Sequence, residues 1–91
     1  MIELNESRKR IDEIDKQIVS LFEERMAVVG DIAEYKINSG TPVLDSKREE
    51  EKLDSVSSLA NTDFNKKAIR DLFKQILSIS REYQNTLIRN P

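Results

Sequence analysis

The sequence predicts an all-α fold of three helices per chain, one long, one short and one medium-long. Three observations carry that prediction. Apolar residues recur at alternating spacings of three and four, the period of a helix face and not of a strand. Only two Gly and two Pro interrupt 91 residues, so breaks between helices are few. No segment alternates apolar and polar residues as a half-buried strand does. The length fits a single domain over residues 1–91, without an internal repeat, linker or low-complexity tract.

The first helix is expected to start after Asn5, a good N-cap, with Glu6 in its first turn, and to run to about Asn38. Ser39-Gly40-Thr41-Pro42 then ends it. Its apolar seam reads Ile11, Ile14, Ile18, Leu21, Val28 and Ile32, and Arg25 stands at the seam position between Leu21 and Val28. About 33 residues make a rod of ~50 Å, whereas a compact domain of this length has a radius of gyration of about 12 Å. Two further helices cannot cover such a rod, so its stripe calls for a second copy of the chain, with the long helices side by side in a homodimer. Gly30 inside this helix costs roughly 1 kcal/mol relative to Ala, and the sequence offers no physical reason for it.

The second helix is expected to begin near Asp45 or Ser46, where Ser46-Lys47-Arg48-Glu49 matches a capping box. Leu53, Val56, Leu59 and Ala60 form its apolar face, and "ANTDFN" breaks it. The third starts after Thr62 or Asp63 and carries Ile69, Leu72, Phe73, Ile76, Ile79, Tyr83 and Leu87 at helical spacing.

Composition narrows the chemistry. A net charge of −2 provides no global basic field, which argues against nucleic acid or an anionic membrane surface as the main partner. No apolar run approaches the roughly 18 residues of a membrane span. The start "MIELNES" is acidic and polar, unlike a secretory signal, and with the absence of cysteine it points to the cytoplasm. The chain has no His and no Cys. That excludes Ser-His and Cys-His nucleophiles and the usual zinc sets, leaving Arg, Lys, carboxylates, Ser, Gln and backbone groups, which suit binding and electrostatic stabilisation.

Polar residues interrupt the inner face of every helix. Arg25 and Lys36 are eleven residues apart, about 20° out of phase and ~16 Å along the axis, so two cations share one face. Ser80 and Gln84 lie one turn apart on a face otherwise carried by Phe73, Ile76 and Leu87. Glu49 extends the apolar face of the second helix with a carboxylate, preceded by Arg48. Each has a plainer account: Arg25 snorkels to water, Lys36 complements the helix dipole, Ser80 bonds its own helix, and "KREEEK" is a solvated run. Taken together they suggest a small pocket for a compact polyanionic metabolite, because a buried cation needs an anion.

The segments "SRKRIDEIDKQIVSLFEERM", "VVGDIAEYK", "PVLDSKREEE" and "LFKQILSISREYQ" resemble the all-helical class of chorismate mutase over essentially the whole chain. That resemblance implies an intertwined, domain-swapped homodimer and the rearrangement of chorismate to prephenate in phenylalanine and tyrosine biosynthesis. It implies that Arg25 and Arg8, the latter from the partner chain, hold the substrate's two carboxylates. It makes Lys36 and Gln84 donors to the ether oxygen, and Glu49, with backbone near Asp45, the partner of the ring hydroxyl. Arg48 and Ser80 become further substrate contacts. No cofactor or metal is implied, since the reaction is a one-substrate pericyclic step. Three other functions remain open. One is an isochorismate pyruvate lyase on the same scaffold; another is a non-catalytic module that senses prephenate or docks on another enzyme of the pathway; the third is a plain helical dimerisation domain, which leaves the inner cations unexplained.

Overall fold

The computed structural model describes residues 3–90, in which three helices follow one another: α1 (Leu4–Ser39), α2 (Ser46–Ser58) and α3 (Asp63–Arg89). No strand occurs among the described residues, so the all-α prediction holds.

Local chemistry explains where each helix begins and ends. At the start of α1 the cap is Glu3 and not Asn5, which lies inside the first turn. The Glu3 carboxylate accepts hydrogen bonds from the backbone N–H groups of Asn5 and Glu6, and its charge also suits the positive end of the helix dipole. Gly40 ends α1 with φ 70°, a left-handed conformation in which its N–H reaches the Lys36 carbonyl at 2.9 Å. Asp45 caps α2 by accepting from the Arg48 N–H at 3.0 Å. Ser46 is therefore the first helical residue, and the expected Ser46–Glu49 capping box does not form. Thr62 caps α3 through its hydroxyl to the Asn65 N–H.

α3 packs against both α1 and α2, while α1 and α2 do not meet directly. Glu49 pairs with Arg81, and Glu50 and Asp54 pair with Arg70, so α2 runs antiparallel to α3. The buried apolar residues are few: Val29 and Ala33 on α1 and Leu53 on α2. Here the expected faces shift. On α1 it is Val29 and Ala33 that face α3, whereas Ile11, Ile18, Leu21 and Val28 of the predicted seam are each more than half exposed. Leu59, expected on the inner face of α2, is the C-cap and is 78% exposed, because the helix stops before its face turns inward.

The chain is an elongated object of 57 × 26 × 14 Å with a radius of gyration of 16.5 Å. Its 7355 Å² of accessible surface exceeds the roughly 5,400 Å² expected of a compact monomer of this mass.

Candidate active site

The crossing of α1 and α3 near Gly30 sets the site. A Cβ placed on Gly30 would sit 3.8 Å from the Tyr83 ring, an ordinary contact. One turn earlier on each helix, Arg25 Nη1 donates to Ser80 Oγ at 2.7 Å, and Ser80 Oγ donates in turn to the Ile76 carbonyl at 2.8 Å. Beyond the crossing, α2 lies along α3 and with α1 lines an open-mouthed cavity of about 380 Å³. That volume lies within the usual range for small-molecule sites.

Each element contributes one face to this cavity. From α1 come Arg25, Val29, Ile32 and Lys36, at spacings of four, three and four. From the connection and α2 come Val43, Asp45, Arg48, Glu49 and Lys52. From α3 come Leu77, Ser80, Arg81 and Gln84. Seven of the eight residues proposed from the sequence thus line one cavity. Arg8 does not: it is exposed on the first turns of α1, 28 residues before Lys36 and ~42 Å away along a straight helix.

The electrostatics favour an anion. Five cations line the cavity, Arg25, Lys36, Arg48, Lys52 and Arg81, against two carboxylates, Asp45 and Glu49. One carboxylate is engaged by Arg81, and the other caps α2. Arg25 is half-buried, and its only hydrogen-bond partner among the described residues is the neutral Ser80 hydroxyl. Burial pushes the Arg25 guanidinium below its ordinary pKa, since desolvation penalises its charged form. An anion binding beside it would relieve that penalty. Lys36 Nζ donates to the Val43 carbonyl at 3.1 Å, which ties the end of α1 to the connection. An ammonium has three donors, so two remain for a ligand.

Gln84 is 7% exposed, and its Oε1 has no hydrogen-bond partner in the protein. Leaving such a group unsatisfied costs about 1–3 kcal/mol. Its amide is therefore buried at the cavity wall without being fully used by the fold. Among the described residues no group of three or more His, Cys, Asp or Glu side chains could hold a metal ion. Nor is any helix among them long and apolar enough to cross a membrane.

Sequence reasoning did not single out Lys52 and Arg81. Lys52 lies in "KREEEK", which reads as a solvated charge run, yet it stands one turn beyond Glu49 on the same face. Arg81 shares a helix face with Leu77 and Gln84 at spacings of four and three, and that register was its available signal.

Comparison with known proteins adds three findings. A family model described as chorismate mutase type II matches residues 7–85. A protein named Chorismate mutase from Methanocaldococcus jannaschii is 45% identical over 60 residues, covering 65% of this chain and 61% of that protein. A Bifunctional chorismate mutase/prephenate dehydratase from Buchnera aphidicola subsp. Schizaphis graminum is 35% identical over 82 residues, covering 89% of this chain and 21% of that one. The matched part is less than two thirds of the length of either relative.

Proposed function

The chain belongs to the chorismate mutase type II family, and on that basis we propose that it rearranges chorismate to prephenate in a pocket completed by a second copy of itself. The observation that carries this reading is the excess of cations around a cavity of about 380 Å³, with a half-buried arginine whose one hydrogen-bond partner among the described residues is a neutral hydroxyl. Chorismate is a compact dicarboxylate, the kind of ligand such a wall would hold.

The reaction breaks the ether C–O bond and forms a C–C bond in one cyclic shift of electrons, without a nucleophile. The protein's tasks are to hold the enolpyruvyl side chain over the ring and to stabilise negative charge gathering on the ether oxygen. Arg25 takes one carboxylate, with Ser80 beside it, and Arg48 contributes a further contact. Arg8 of a second copy takes the other carboxylate, because ~42 Å of helix separates Arg8 from Lys36 within one chain. Lys36 and Gln84 donate to the ether oxygen. Glu49, with backbone near Asp45, accepts from the ring hydroxyl.

The second copy is supported independently by the exposed stripe of α1. Ile11, Ile18, Leu21 and Val28 are each more than half exposed, and an excess of roughly 2,000 Å² over a compact monomer is enough surface for an obligate interface. We read the assembly as an intertwined homodimer. The Buchnera relative joins the two names in one protein, which supports association of this chain with an enzyme that consumes prephenate.

The test is to mix the purified protein with chorismate and follow its ultraviolet absorbance while assaying prephenate and pyruvate. The proposal expects chorismate to disappear, prephenate to appear and no pyruvate to form. Unchanged chorismate, or released pyruvate, rejects it.

A further inference from the structure

Two guanidinium bridges join α2 to α3, and they differ in kind. Arg70 reaches Glu50 and Asp54 on the outer side, where both carboxylates are well exposed. Arg81 reaches Glu49 at the cavity wall, and the two side chains are only 32% and 22% exposed. Both bridges link the two helices, and the inner one is set apart by its place at the cavity wall.

The inner bridge fixes a carboxylate. Glu49 lies in the first turn of α2 and makes no capping box, leaving its side chain free to cross to α3. Arg81 Nη1 donates to Glu49 Oε1. Among the described residues the other oxygen, Oε2, accepts no hydrogen bond, and Glu49 lines the cavity. A flexible glutamate without such a partner would spread over several rotamers and lose entropy on binding. Held by a planar guanidinium it is oriented beforehand, and its charge is balanced where a dianionic ligand would otherwise meet a bare carboxylate.

We propose that Arg81 is a positioning residue that orients and charge-balances the Glu49 carboxylate for a ligand hydroxyl in the cavity. This rests on the reading of the cavity as the chorismate pocket.

The test uses Arg81→Met, which keeps an apolar stem, Arg81→Lys, Glu49→Gln and the double variant Arg81→Met/Glu49→Gln, with wild type alongside. Activity of wild type on chorismate tests the reading itself. Given an active wild type, Arg81→Met should lower kcat/KM about 10-fold, the loss of one charge-assisted contact, chiefly through KM. Arg81→Lys should recover part of it. The double variant should be no worse than Glu49→Gln alone, because Arg81 acts through Glu49. In the ligand-free protein the carboxyl 13C resonance of Glu49 should move in Arg81→Met and move back toward wild type in Arg81→Lys. That readout is independent of catalysis and tests the Arg81–Glu49 contact by itself, while an inactive wild type rejects the reading of the cavity. Multiplicative losses in the double variant, an unaffected Arg81→Met, or an unmoved Glu49 resonance overturns the inference.

Discussion

Arg25 on α1 donates a 2.7 Å hydrogen bond to Ser80 Oγ on α3, across 55 residues of sequence. A permanent cation thus meets a neutral hydroxyl in the half-buried middle of the molecule, where a fold built for stability alone would put a carboxylate or an apolar side chain. The bond is dispensable to Ser80, whose hydroxyl also has the Ile76 carbonyl.

Arg25→Ala should therefore keep the helical content and the association state while lowering kcat/KM by about 100-fold or more, since a charge-assisted carboxylate contact is lost. Circular dichroism, sedimentation and the chorismate assay check the three parts. Normal turnover by Arg25→Ala would remove this arginine from substrate binding.

Gln84 should make the wild-type rate nearly flat between about pH 5.5 and 8, because a neutral amide donates at any ordinary pH. In Gln84→Glu the side chain donates only when protonated. A free glutamate titrates near 4.3, and burial raises that value by penalising the charged form. Activity should hence be retained toward acid and fall as pH rises through the shifted value. Equal activity at pH 5 and pH 8 takes Gln84 out of the ether-oxygen role.

Gly30→Ala should stabilise the protein by up to about 1 kcal/mol through helix propensity, as the added Cβ meets only the Tyr83 ring at 3.8 Å. Thermal unfolding measures it. A loss of stability would indicate that a surface outside the single chain lies against Gly30.

Leu53 and Leu59 should separate sharply. Leu53 is the buried apolar side chain of α2, at 6% exposure, while Leu59 is 78% exposed. Leu53→Ala should cost about 2–4 kcal/mol, and Leu59→Ala should fall within roughly 0.5 kcal/mol of wild type. Denaturant unfolding of both variants provides the comparison; similar losses would contradict the position of the α2 C-terminus.

These residues also show what the sequence makes legible. Thr62, Gly40 and Asp45 end or start helices by local chemistry, so their positions can be read within a residue or two. Glu3 could not, because its capping depends on a longer side chain folding back, and Asn5 is the better cap by type. The choice between Val29 and Val28 was likewise hidden. α1 carries apolar residues on two adjoining faces, and periodicity alone does not say which one meets α3 and which stays exposed. Arg25, Lys36, Ser80 and Gln84 stood out because each interrupts an apolar face. Arg81 and Lys52 did not, since a cation among polar neighbours reads as solvated until the fold brings Glu49 to Arg81 and turns Lys52 toward the cavity.

The composite site is the centre of the account, and mixed dimers test it most directly. Arg8→Ala and Arg25→Ala should each be inactive as homodimers. Unfolded together in equal amounts and refolded, about half the dimers should be mixed by random pairing. In a mixed dimer one pocket receives intact Arg25 from one chain and intact Arg8 from the other, and its second pocket lacks both. The account predicts the return of roughly a quarter of wild-type activity, one good pocket in each mixed dimer. Verified mixed dimers that stay inactive would contradict it, because the two arginines would then not meet in a shared pocket.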